Sequence, residues 1–125
     1  MAYRLHHIHL VCSDLEKSLR FFTELLGGKL VDRRNFGKAP GAVVDLAGVF
    51  IYLRATREGD TIGGTSSSCG YNHLGLAVDD LDAAHAQLSA QGFVFTTPPT
   101  VIPTGKMAFV QGPDNILIEL LQDNK

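Results

Sequence analysis

His7-Ile8-His9-Leu10-Val11-Cys12-Ser13-Asp14-Leu15 has a counterpart in the second half of the chain, His73-Leu74-Gly75-Leu76-Ala77-Val78-Asp79-Asp80-Leu81. In both, a histidine opens an apolar run of strand character and an Asp-Leu pair closes it. The spacing from His7 to His73 equals that from Asp14 to Asp80. Self-similarity at a fixed spacing is read before any local feature, because it sets the architecture.

The match continues downstream of each copy. Ser13 or Asp14 can cap a helix that carries Leu15, Leu19, Phe22 and Leu26 on one face, and Gly27-Gly28 stops it. Asp79 or Asp80 can cap a second helix through Leu81, Ala84 and Leu88, stopped by Gly92. Each helix leads into β-rich stretches, over residues 29–34, 42–46 and 49–55 in the first copy and 93–96, 106–111 and 115–121 in the second. Ala47-Gly48 and Gly112-Pro113-Asp114-Asn115 supply turns. The expected fold is therefore α+β, with two βαβββ modules forming a curved mixed sheet and helices outside. One domain over 1–125 is expected, with modules at 1–57 and 70–122 and a Gly/Ser/Thr-rich linker at 58–69. Residues 35–41 and 96–105, the latter holding Pro98, Pro99 and Pro103, are either lids or plain connections.

Strand alternation sorts the side chains by face. Ile8, Leu10 and Cys12 should face the helix, which leaves His7 and His9 on the opposite side. Leu74 and Leu76 face the helix, which leaves His73 opposite. Ile116, Ile118 and Leu120 do the same, so Glu119 shares the open side with Leu117 and Leu121. A carboxylate inside Ile116-Leu117-Ile118-Glu119-Leu120-Leu121 is costly to bury without a partner. Taken singly, each histidine reads as a hydrogen-bonded core residue, and Glu119 as solvated or paired with an arginine such as Arg54. Taken together, two imidazoles at equivalent repeat positions and one carboxylate on the same side make a facial triad for a divalent ion.

The bulk properties narrow the setting. At 125 residues and 45% hydrophobic the composition is that of a globular protein. A net charge of -2 with interspersed signs gives no reason to expect nucleic acid or an anionic membrane as partner. No apolar run is long enough to cross a bilayer. The opening Met1-Ala2-Tyr3-Arg4-Leu5-His6-His7 lacks a signal-peptide core, and two cysteines, Cys12 and Cys69, make no disulfide framework. A cytoplasmic location is the expectation.

The segment from His7 through Gly27 resembles the opening of the vicinal-oxygen-chelate superfamily, which includes glyoxalase I, extradiol ring-cleaving dioxygenases, methylmalonyl-CoA epimerase, fosfomycin-resistance enzymes and bleomycin-binding proteins. Asn72 through Leu81 resembles the start of its second module. Residues 109–120 resemble its closing "Phe-x-x-Asp-Pro-Asp-Gly-x-x-x-Glu-Leu" pattern, with Gly112 and Asn115 departing from the usual Asp and Gly. The resemblance implies metal ligation by His7, His73 and Glu119 and one divalent ion, whether Fe, Mn, Ni, Co or Zn. It places Tyr52 where glyoxalase I and the epimerase carry a fourth ligand, Glu or Gln. Neutral phenol coordinates weakly, so Tyr52 is expected to act on substrate as a hydrogen-bond or proton donor, or else simply to fill space. His9 is the candidate second acid–base group, and Phe50, Met107 and Phe109 are candidate substrate contacts.

The implied function is a metal-dependent enzyme acting on a small oxygenated substrate, with dioxygenase-like chemistry as one form. The alternatives are a glyoxalase I-like lyase or isomerase, a fosfomycin-type transferase, and a metal-free bleomycin-type binder using Phe36, Phe50, Met107 and Phe109. A homodimer with shared active sites is expected from the resemblance, His7 coming from one chain and His73 with Glu119 from the other.

Overall fold

β-Branched and aliphatic residues dominate the first strand of each half, and each half builds the same pattern around it. In the computed structural model, which describes residues 2–65 and 69–124, the first half runs β1 (His7–Cys12), α1 (Leu15–Arg20), β2 (Lys29–Phe36), β3 (Ala39–Leu46) and β4 (Val49–Ala55). The second runs β5 (Leu74–Ala77), α2 (Leu81–Ala90), β6 (Phe95–Ile102), β7 (Gly105–Gln111) and β8 (Leu117–Asp123). Each half has its own four-stranded mixed sheet, ordered β1-β4-β3-β2 and β5-β8-β7-β6. The first and last strands of a half run parallel and the others antiparallel. Both halves are thus βαβββ modules, and the chain divides into compact units at Met1–Ile62 and Gly63–Lys125. Part of the expected linker, residues 66–68, lies outside the described residues. Among the described residues no helix is long and apolar enough to cross a membrane.

Alternation holds where it positions the site. Leu10 and Cys12, Ile51 and Leu53, Ala42 and Val44 are buried in the first module with Leu19, Phe21 and Phe22 of the helical segment. Leu74, Ala108, Val110, Ile118 and Leu120 are buried in the second with Leu81 and Leu88 of α2. Both helices start on the aspartate that immediately precedes them. Asp14 Oδ1 accepts from Lys17 N at 3.1 Å and Asp80 Oδ1 from Ala83 N at 3.0 Å.

The first helix departs from the expected regular face. After Arg20 it opens into a π-helical turn, Phe21–Leu25, where Leu26 N donates to Phe21 O. The extra residue per turn puts two adjacent aromatics, Phe21 and Phe22, into the core at 1% and 0% exposure. A simple 3.6-residue stripe admits Phe22 and leaves Phe21 out. The segment ends where Gly28 passes so close to Phe22 O and Val44 that a Cβ would sit 2.7 Å from each.

The two possible lids are hairpins. β2 extends to Phe36 and β3 begins at Ala39, so 35–41 is mostly paired strand around Gly37-Lys38. Likewise β6 and β7 pair through Ile102 and Gly105, and 96–105 is a strand with a two-residue turn. Pro98 and Pro99 fit because β6 is an edge strand and its register slips between Thr97 and Thr100, where no ladder donor is required.

Candidate metal centre

The two histidines that open the repeats are held in the same way. In the second module His73 stands just before β5, next to Glu119 of the parallel strand β8, whose Cα partner is Gly75. Glu119 projects from the face opposite the buried Ile118 and Leu120, as alternation requires. His73 Nε2 lies 3.2 Å from Glu119 Oε1, and His73 Nδ1 lies 2.7 Å from Asn72 Oδ1. The guanidinium considered as an alternative partner for Glu119 is engaged elsewhere, since Arg54 binds Asp60 at 2.8 Å.

This arrangement tests the donor set. His73 thus has an oxygen at each ring nitrogen, Asn72 Oδ1 at Nδ1 and Glu119 Oε1 at Nε2, and the single proton of a neutral ring serves only one of them. In the tautomer with the proton on Nδ1, Nε2 turns a lone pair toward the carboxylate oxygen 3.2 Å away. That tautomer suits a cation between the two atoms, whereas the other makes an Nε2–H···Oε1 hydrogen bond. Two donors each about 2.1 Å from one ion, at angles of about 90–109°, stand about 3.0–3.4 Å apart. The observed separation falls in that window, and imidazole nitrogen with carboxylate oxygen suits a borderline divalent ion. The residues fit a metal.

Phe109 of β7 is the cross-strand partner of Glu119, and its ring meets His73 edge-on with centroids 5.1 Å apart. Met107, two residues earlier on the same face, pairs with Leu121. Both are half-buried, as contact residues beside a site should be.

In the first module His7 opens β1. Its Nδ1 is 2.9 Å from His6 Nδ1, and its ring lies flat on Tyr52, with centroids 3.8 Å apart and planes at 7°. Tyr52 of β4 is the Cα partner of His9, just as Glu119 of β8 is the partner of Gly75. The register therefore puts Tyr52 at the position in the first module that Glu119 occupies in the second. Phe50, 39% exposed, pairs with His7. His9 sits 4.8 Å from the Phe36 ring and 5.9 Å from Tyr52, centroid to centroid. Burial, reinforced by the charges of Arg54, His7 and Arg57, holds the His9 pKa below the ordinary histidine value. The guanidinium of Arg34 lies 5.6 Å from the Tyr52 ring centroid.

The sequence-predicted residues thus fall into two groups. His73, Glu119, Phe109 and Met107 belong to the second module, and His7, His9, Phe50 and Tyr52 to the first. Among the described residues of the chain, no set of three or more His, Cys, Asp or Glu side chains is gathered so as to hold a metal ion. His6 and Asn72 escaped the sequence reading because each is an exposed polar residue outside the apolar run. The signal that could have found them is the repeat, for each immediately precedes its histidine.

Known proteins share this outline. The family model of the Glyoxalase/Bleomycin resistance protein/Dioxygenase superfamily matches residues 4–120. A lactoylglutathione lyase of Schizosaccharomyces pombe is 30% identical over 99% of this chain, which spans about half of that relative (49%). A probable lactoylglutathione lyase of Vibrio cholerae is 28% identical, covering 98% of this chain and 93% of its own. The crystal structure of a glyoxylase/bleomycin resistance protein/dioxygenase domain from Frankia sp. EAN1pec superposes with a TM-score of 0.79 at 28% identity, covering 99% of this chain and 100% of that one.

Proposed function

Because the chain belongs to the Glyoxalase/Bleomycin resistance protein/Dioxygenase superfamily, we propose that it is a divalent-metal-dependent enzyme acting on a small oxygenated substrate, with His7, His73 and Glu119 as ligands. The observation that carries this reading is the approach of His73 Nε2 to Glu119 Oε1 at 3.2 Å, which brings an imidazole nitrogen and a carboxylate oxygen to the separation of two donors on one ion. A bound ion, held by His7, His73 and Glu119, would supply positive charge to stabilise the negative charge that develops on substrate oxygen.

The chain's own residues do the rest. His7 and His73 give neutral nitrogen donors and Glu119 one negative charge, a set that accepts Fe, Mn, Ni, Co or Zn. Phe109 and Met107 offer an apolar wall beside His73, and Phe50 one beside His7. The Tyr52 hydroxyl donates to bound substrate, and His9 is the second acid–base group. Tyr52 at the register position of Glu119 leaves three protein donors, which keeps positions open for substrate and a small co-reactant and favours dioxygenase-like chemistry. The lactoylglutathione lyase relatives favour a second reading, lyase or isomerase chemistry. Oxygen uptake by Fe(II)-loaded protein with a catechol would support the first; turnover of lactoylglutathione would support the second. We infer further that two chains pair, His7 coming from one and His73 with Glu119 from the other.

Metal analysis after purification without chelator tests the common premise. The expected result is one divalent ion per site, a rise in Tm when that ion is added to chelated protein, and loss of both in Glu119→Gln. Protein free of metal whose Tm responds to none of the five ions sinks the proposal. Ligand binding that is indifferent to chelator would revive the metal-free binder.

A further inference from the structure

The two candidate ligands share a feature beyond their place in the repeat. In each module the residue directly before the histidine bonds that histidine's Nδ1, His6 to His7 at 2.9 Å and Asn72 to His73 at 2.7 Å. From this geometry we infer that His6 and Asn72 are a matched pair of positioning residues, each fixing the ring and proton of the next residue so that Nε2 is the metal-binding atom. The inference rests on the metal reading above and extends it to two residues outside the donor set.

The chemistry is the same on both sides although the side chains differ. The Asn72 amide oxygen accepts the His73 Nδ1 proton, which leaves the Nε2 lone pair for an ion. His6 does the same for His7 as the tautomer that carries its own proton on Nε2 and accepts through Nδ1. Ring orientation is then fixed from a second direction. Tyr52 covers one face of His7 and Phe109 meets His73 edge-on, so neither imidazole turns freely about its outer bond. A ligand held in one tautomer and one orientation loses less freedom on binding, and the acceptor at its far nitrogen makes it more basic. Adjacent placement explains how the device is duplicated: a residue at the mouth of a strand can reach back along the ring of its neighbour without any contribution from the rest of the fold.

The test compares metal affinity in full-length protein, measured by competition with a chromogenic chelator for Co(II) and by the Co(II) absorption bands. His6→Ala and Asn72→Ala should each weaken binding by about 10- to 100-fold and perturb the bands, since loss of such partners has that effect. Chelated variants should melt where chelated wild type does. His6→Asn and Asn72→His, which exchange the two solutions, should restore affinity to within a few-fold of wild type. Alanine variants with wild-type affinity overturn the inference and leave the metal reading intact. Equal loss in the alanine and exchange variants overturns it too, because mere disruption would act on both. Wild-type protein that takes up no Co(II) removes the metal reading itself, and this inference with it.

Discussion

Tyr52 and Glu119 occupy one structural position in two copies of one module, and their chemistry differs completely. Parallel pairing sets Tyr52 opposite His9 and Glu119 opposite Gly75, so each projects beside the histidine that opens its own repeat. The carboxylate meets its imidazole through an oxygen at 3.2 Å, whereas the phenol stacks on its imidazole at 3.8 Å. One is an anionic oxygen, the proposed donor to a cation, and the other is a flat surface with a hydroxyl at its rim. Tyr52→Glu should therefore add a fourth donor, the second through oxygen, to the proposed set and tighten Co(II) or Zn(II) binding in the chelator competition. Unchanged affinity would mean that position 52 lies beyond reach of the ion. The shared face of His73 and Glu119 was readable from spacing and alternation, because a carboxylate amid Ile, Leu and Leu has few inexpensive explanations. The stack of Tyr52 on His7 was not readable, since nothing in a sequence distinguishes a ring that donates through its edge from one that covers a neighbour.

At the scale of elements, the turns and caps show why the modules hold their register. β3 and β4 are joined by Ala47-Gly48, both at positive φ, 53° and 93°. That is the geometry of a type I′ hairpin turn, which Asn-Gly satisfies and a Cβ-bearing alanine resists. Ala47→Asn should raise stability by about 0.5–1 kcal/mol, read as a higher urea midpoint at unchanged m. A lower midpoint would show that some other contact fixes the turn. Beyond β4, Asp60 accepts from Arg57 N at 2.7 Å and from Arg54 Nη1 at 2.8 Å, bonds that hold its carboxyl below the usual aspartate pKa. A depressed acid stabilises the fold above its unfolded pKa, and that stability is lost as pH falls through the folded value. Asp60→Asn should be less stable than wild type at neutral pH, and the gap should close on acidification; a gap constant with pH would assign the loss to something other than ionisation. The sequence narrowed each cap to two neighbouring residues, of which the structure uses Asp14 and Asp80, and marked the Ala47-Gly48 turn, because these depend on residues adjacent in the chain. It did not reveal that 35–41 and 96–105 are hairpins. Proline and glycine mark interruptions equally well in a loop and in an edge strand, and only the partner strand, with the slip between Thr97 and Thr100, tells them apart.

At the scale of the molecule, the duplication divides the proposed donors unequally: His7 belongs to the unit Met1–Ile62, while His73 and Glu119 belong to Gly63–Lys125. With the proposed ligands in two units, a site would be completed by the chain's own halves or by those of a second copy, and the proposed dimer takes the second course. Complementation separates the two. A His7→Ala chain and a Glu119→Ala chain each lack one donor, so each alone should bind metal poorly. If sites are shared, a mixed dimer places the intact His7 of one chain with the intact His73 and Glu119 of the other, and both lesions fall in the remaining site. Random subunit exchange at equal amounts should then restore about a quarter of the wild-type metal sites, since about half the dimers are mixed and each has one of its two sites whole. The measurement is bound Co(II) per chain after the two variants are unfolded together, refolded and dialysed. Recovery near that fraction establishes sharing between chains. No recovery, in a preparation that light scattering shows to be dimeric, means that each chain furnishes its own triad, because then no combination of the two variants contains an intact set.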